Sequence, residues 1–299
     1  MKIGYACINQ SLECRSSRTF RLRNYSNKKL EQTVKGNLDC LMNILRYNKE
    51  HELYIFRITS DLIPFASHDI MDFDWQNHFK SKFIEIGNYI KENDIRITMH
   101  PGQYTVLNSK NNQVFENSLK ELYYHVEVLD LMGLYKSAKV QIHVGGVYND
   151  KKNSIKRFIK RYNELNENIL ERLIIENDDK SYSLEDCLFI NRETQVPIVF
   201  DVYHHECLNN GETLLDAFEK FTKTWNKRDG IPLVHYSSDH STKIKGKHAE
   251  SINLEHFNKF IDKTKKFNFD IMLEIKDKEK SALLAVEQIH NDIRFNKNN

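Results

Sequence analysis

The sequence predicts one (β/α)8 barrel spanning residues 1–299. Three observations carry that prediction. Eight short apolar runs recur along the chain, nearly continuous in hydrophobicity, as parallel strands buried on both faces should be. Each is followed by a segment whose apolar residues fall three and four apart, the spacing of a helix with one buried face. The His, Asp and Glu residues collect at the C-terminal ends of the runs, which a parallel barrel brings to one rim. A doubly wound open sheet is the alternative, but the first turn, "YACINQSLECRSS", lacks the GxGxxG of a dinucleotide-binding fold.

The elements follow in order. Strand runs lie at 2–7 (KIGYAC), 53–58 (LYIFRI), 95–100 (IRITMH), 139–144 (KVQIHV), 172–177 (RLIIEN), 197–202 (PIVFDV), 232–237 (PLVHYS) and 269–275 (FDIMLEI). Helical patterns lie at 30–48, 74–93, 114–134, 152–170, 183–192, 212–226, 251–266 and 279–292. The third is stopped by Gly133, a residue suited to the left-handed turn that ends many helices. The last residues, "FNKNN", are expected to fray.

Composition excludes several classes. Lys+Arg 44 against Asp+Glu 42 leaves a net charge of +2, so any nucleic-acid contact must come from local patches. Arg15, Arg18, Arg21 and Arg23 crowd one early loop, and Lys243, Lys245 and Lys247 a late one. Five scattered cysteines without a CxxC read as reduced thiols in a soluble cytoplasmic protein, nucleoid-associated in a prokaryote or nuclear in a eukaryote. "MKIGYACINQ" is no secretory signal, and no apolar stretch reaches membrane-spanning length.

The strand ends carry the chemistry. His100 ends strand three, His143 strand four, Glu176 strand five, Asp201 strand six, His235 strand seven and Glu274 strand eight. His204 follows Asp201 by three residues, His68 follows strand two, and His248 lies in the loop after strand seven. So many imidazoles and carboxylates on one buried rim would repel or stay unpaired at a cost of several kcal/mol each. A multivalent cation removes that cost. Nitrogen and oxygen donors without thiolate suit Zn²⁺, Mn²⁺ or Fe²⁺. The donors exceed one tetrahedral set, so two or three ions are expected, with Glu176 bridging. Such sites are typical of phosphodiester hydrolysis. His51, His78, His125, His256 and His290 fall in helical patterns and are expected at the surface, outside the site.

Seven motifs then point to a family. "GYACIN", "RITSDLIPFASH", "MHPGQYTVLNS", "IHVGGVYNDK", "IENDD", "FDVYHHE" and "VHYSS" run in order over residues 3 to about 275 and together resemble the UV damage endonuclease family. The resemblance implies a barrel related to endonuclease IV. It implies a metal-dependent enzyme that nicks duplex DNA immediately 5′ of cyclobutane pyrimidine dimers and 6-4 photoproducts, leaving a 3′-hydroxyl and a 5′-phosphate. It implies a metal shell of His68, His100, His143, Glu176, Asp201, His204, His235, His248 and Glu274, with manganese first and zinc or cobalt as other occupants. His100, Glu176 and Glu274 are the expected catalytic residues. Gln103 and Tyr104 of "HPGQY" would probe the lesion, with Tyr5 and Asn9 as further pocket residues. Arg15, Arg18, Lys151, Lys152, Lys243, Lys245 and Lys247 are expected to hold DNA phosphates. The implied partner is damaged double-stranded DNA, met by a monomer without a nucleotide cofactor.

One departure stands out. The resemblance implies a lysine, carboxylated and contributing to the metal cluster, two residues before the strand-seven histidine. Leu233 occupies that position. Leucine neither ligates nor carries a carbamate, so metal count or pH response is expected to differ. Three other readings share parts of the pattern. An endonuclease IV-like enzyme would cut abasic sites with the same metals. A sugar isomerase on the same barrel would need no basic rim loops. A non-catalytic damage-binding protein would not need the whole ligand series.

Overall fold

The structure is a computed structural model that describes residues 1–238 and 247–295. Lys243, Lys245 and residues 296–299 of the segment expected to fray lie outside the described residues. Among the described residues, eight strands are β1 (Ile3–Ala6), β2 (Ile55–Ile58), β3 (Arg96–Met99), β4 (Lys139–His143), β5 (Leu173–Glu176), β6 (Ile198–Asp201), β7 (Leu233–Tyr236) and β8 (Asp270–Leu273). They pair in parallel, each with its sequence neighbour, and β8 returns to β1 to close the barrel. Closure leaves no unpaired sheet edge.

Eleven α-helices among the described residues surround the strands: α1 (Asn27–Glu50), α2 (Trp75–His78), α3 (Lys80–Glu92), α4 (Asn112–Leu131), α5 (Lys151–Tyr162), α6 (Glu167–Leu170), α7 (Leu184–Thr194), α8 (Val202–Cys207), α9 (Leu214–Phe221), α10 (Leu254–Lys263) and α11 (Glu279–Ile289). Every expected strand is present, one to two residues shorter at its ends. The helical patterns 74–93 and 152–170 each resolve into two helices. Phe79 breaks the first at φ −102°, and Asn166 turns extended before α6 in the second. Gly133, at φ 61°, follows α4 as its spacing predicts.

Alternation along the strands stacks the barrel interior. Arg96 pairs with Asp270 and Lys139 with Asp229 near the strand starts, closing the N-terminal mouth. Above them Ile55, Ile174, Val199, Leu233 and Met272 form a dry layer. Two residues further along, β2, β5, β6, β7 and the end of β8 present Arg57, Glu176, Asp201, His235 and Glu274, joined by His143 at the end of β4. The apolar floor beneath therefore sets the polar set at the C-terminal rim, where barrels keep their sites.

The cysteine expectation is corrected. Cys14 and Cys40 form a disulfide, with Cα atoms 5.7 Å apart, that ties the loop after β1 to α1. Their 26-residue separation carries no pairing signal in the sequence; the loop's return across α1 creates the contact. Cys7, Cys187 and Cys207 are free. Among the described residues no helix is long and apolar enough to cross a membrane.

Candidate metal centre

Glu176 is the hub of the rim. It ends β5 fully inside the barrel, and four imidazoles surround its carboxylate. Oε2 lies 3.8 Å from His100 Nε2 and 3.7 Å from His143 Nε2. Oε1 lies 2.9 Å from His235 Nδ1 and 3.7 Å from His204 Nδ1. Three donor groups converge there: His100–His143–Glu176, Glu176–Asp201–His204, and Glu176–His235–Glu274. Glu176 belongs to all three, as a bridging carboxylate would. His248 completes the ring, with Nδ1 3.6 Å from Glu274 Oε2 and its imidazole beside that of His204.

Local folding explains the aim of each donor. Asp201 ends β6 and caps α8: its Oδ1 accepts from the backbone N–H of His204 at 2.7 Å. The cap fixes His204 at the third helical position, turned back toward the cluster. The other carboxylate oxygen, Oδ2, is buried without a partner. His204 Nδ1 faces the Asn177 carbonyl at 2.9 Å, and His100 Nδ1 faces the Pro101 carbonyl at 2.8 Å. Each ring thereby keeps Nε2 available, the usual outer-shell arrangement of a metal-binding histidine. Asn177 also clasps Asp201 through its amide, donating to the carbonyl and accepting from the N–H.

The charges are strongly perturbed. Burial pushes the His100 imidazolium down to about 3, helped by the Arg57 guanidinium, so this ring is neutral. Burial also works against charge on His204, but Asp201 and Glu176 outweigh it and raise that ring to about 9. Desolvation opposes ionisation of Glu176, yet His235 and His143 hold its carboxyl well below the carboxylate range. Glu274 is likewise held low, with Arg57 as the main opponent of its burial. Burial raises Asp201.

The donor set fits divalent cations. The 3.7–3.8 Å contacts of His100 Nε2 and His143 Nε2 with Glu176 Oε2 are too long for hydrogen bonds. They match two ligand bonds of about 2.1 Å meeting at one ion. An orphaned, buried Asp201 oxygen argues the same way, because such an atom is otherwise costly. A cleft of about 550 Å³ opens above the cluster, lined by His100, His143, His204, His248 and Glu274 together with Gln103.

The remaining expected residues are distributed as follows. His68 is exposed in the loop after β2; its ring packs against Phe65 and it lines a groove with Tyr104, apart from the three donor groups. Gln103 and Tyr104 stand exposed on the rim, Tyr104 at 66% exposure with its hydroxyl donating to Glu121 at 3.2 Å. Tyr5 and Asn9 are buried. The Tyr5 hydroxyl donates to Asn48 and accepts from Asn9, whose Oδ1 caps the turn at Ser11 and Leu12, so the pair braces the first loop from beneath. Arg15, Arg18 and Lys247 are exposed. Lys151 opens α5 and pairs with Asp186 at 2.5 Å; Lys152 is its exposed neighbour. His125, expected at the surface, is instead buried, its ring held between the Glu121 carbonyl and Ser60.

Sequence reasoning missed Arg57, Gln141 and Asn177. Arg57 Nη2 lies 2.5 Å from Glu274 Oε1, 3.0 Å from His235 Nε2 and 3.3 Å from Gln141 Oε1. Gln141 Nε2 in turn donates to Glu176 Oε2 at 3.1 Å. The available signal was a lone polar residue inside an apolar strand, "LYIFRI" and "KVQIHV", where inward polar groups demand a partner. Gly145, at φ 110°, shapes the neighbouring loop: a Cβ there would meet the Asn108 side chain, which bridges to the Gly146 backbone.

Fold and site together define a class: a parallel barrel whose C-terminal rim carries an imidazole–carboxylate centre suited to two or more divalent ions. The family follows from comparison. The UV-endonuclease UvdE family matches residues 1–297, and the chain belongs to that family. It is 41% identical over 291 residues to the UV DNA damage endonuclease of Clostridium perfringens, covering 97% of this chain and 71% of that one. It is 33% identical over 299 residues to the enzyme of the same name from Bacillus thuringiensis subsp. konkukian, covering 97% and 94%. The crystal structure of SacUVDE superposes with a TM-score of 0.93 at 44% identity, over 98% of this chain and 100% of that one. Endonuclease IV from Thermus thermophilus aligns at a TM-score of 0.59 and 14% identity, over 84% and 94%, a likeness of fold alone.

Proposed function

We propose that the whole chain works as one nuclease domain, a monomer that nicks duplex DNA immediately 5′ of UV photoproducts and leaves a 3′-hydroxyl and a 5′-phosphate. The observation that carries the reading is the sharing of Glu176 among three donor groups at the mouth of an exposed cleft. Family membership supplies the substrate class. His100, His143, Glu176, Asp201, His204, His248 and Glu274 would hold the cations, manganese foremost. Bound there, divalent cations supply charge neutralisation of the phosphodiester and acidify water.

The chain's own residues do the rest. Glu176 and Glu274, kept ionised by their imidazole and guanidinium neighbours, orient the attacking water. Gln103 and Tyr104 project from the rim above His100. A photoproduct stacks and pairs poorly, so extruding it costs less than extruding a normal base. The Gln103 amide replaces lost base hydrogen bonds and the Tyr104 ring fills the stack. Arg15, Arg18, Lys151, Lys152 and Lys247 meet the flanking phosphates.

The test compares two duplexes, one with a single thymine dimer and one with a single abasic site. A cut 5′ of the dimer, weakening steeply with salt, supports the reading. Cutting confined to the abasic duplex moves the assignment to an endonuclease IV-like activity and makes Gln103 and Tyr104 general wedges.

A further inference from the structure

Arg57 holds a position that the donor pattern offers to a cation. It projects inward from β2, and its side chain is 7% exposed. Its Nη2 carries two hydrogens. One is directed to Gln141 Oε1 at 3.3 Å and one to His235 Nε2 at 3.0 Å, while Glu274 Oε1 lies alongside at 2.5 Å. A guanidinium has no acceptor. His235 must therefore present a lone pair at Nε2 and keep its proton on Nδ1. That Nδ1–H is directed at Glu176 Oε1, 2.9 Å away.

This arrangement conflicts with metal binding by His235. Ligation through Nδ1 would send the ring proton to Nε2, where it would face the Arg57 donor. Ligation through Nε2 would displace Arg57 itself. Either way the guanidinium must leave, and its charge sits beside the place a dication would take. Below, Leu233, Ile174, Val199 and Met272 supply no further donor. We infer that Arg57 fills the Glu176–His235–Glu274 corner as a built-in cation, so that the centre binds ions tightly only at the His100–His143 and Asp201–His204 corners, and His235 acts as a positioning residue for Glu176. The inference rests on the proposed metal-binding reading of the rim and sharpens it from two or three ions to two.

The experiment titrates Mn²⁺ into chelator-stripped protein and follows the free ion by electron paramagnetic resonance. The wild type is expected to take up about two tight equivalents, R57Q about three, and R57K about two because it keeps the charge. Three tight equivalents in the wild type overturn the assignment, as does a folded R57Q that stays at two or falls lower. Uptake of none by the wild type would instead overturn the metal reading itself. If R57Q fails to fold, nitrogen-15 chemical shifts of His235 in the metal-free wild type decide the matter. Protonation at Nδ1 is expected, and protonation at Nε2 refutes the inference.

Discussion

His204 makes metal binding at this rim strongly dependent on pH. Its ring is raised from 6.5 to about 9 because Asp201 and Glu176 outweigh its burial. His100, pushed down to about 3, is already neutral and imposes no such cost. At pH 7 only about one His204 ring in a hundred is deprotonated, so the ion that uses it binds roughly 100-fold more weakly than its intrinsic affinity. Apparent affinity should rise about tenfold per pH unit above neutrality and level off near the ring's own value of about 9. Calorimetry in buffers of different ionisation enthalpy should detect close to one proton released per ion at this corner at neutral pH. The metal-free protein should respond in the opposite sense. A raised folded-state value stabilises below the unfolded value of 6.5, and the benefit disappears as pH rises through about 9. The rise from 6.5 to about 9 corresponds to about 3 kcal/mol, lost across that window. Asp201→Asn should bring the ring back toward neutrality and flatten the stability curve of the metal-free protein. Affinity independent of pH between 6.5 and about 9, with no proton release, would refute the reasoning.

Three further outcomes follow from the geometry. Glu176→Ala or His100→Ala should lower nicking by roughly a thousandfold or more while gel-shift binding to damaged duplex persists, since these residues serve the reaction and the exposed loops serve the DNA. Gln103→Ala with Tyr104→Ala should lose the preference for damaged over undamaged duplex while metal content, read by mass spectrometry, is unchanged. Cys14→Ser, or reduction of the Cys14–Cys40 bridge, should destabilise the fold by about 3 kcal/mol on the loop-entropy estimate, visible as a lower thermal midpoint.

Much of this architecture was legible in the chain. The strands read correctly because a parallel barrel buries both faces, which makes each run continuously apolar and easy to bound. His143, Glu176, Asp201 and His235 lie at the strand ends as their positions in the runs predict, because strand direction alone sends them to one rim. Asp201 and His204 show why spacing matters: the three-residue step is also a helix cap, so one carboxylate both starts α8 and aims the ring. What stayed hidden depends on three dimensions. Arg57 and Gln141 acquire meaning only beside Glu274, His235 and Glu176, from other strands. Tyr5 looks like a pocket residue by motif, yet strand alternation turns it outward to α1 and Asn48. The Cys14–Cys40 pairing arises from a loop path that no local pattern encodes.

One assay reads the metal-dependent cut at a photoproduct most directly. A duplex bearing a single thymine dimer is incubated with chelator-stripped protein, with and without added Mn²⁺, and the product ends are mapped. One cut immediately 5′ of the dimer, present only with Mn²⁺ and bearing a 3′-hydroxyl and a 5′-phosphate, is the predicted result. Cutting that persists without metal, or no cutting at the dimer with metal restored, would contradict it.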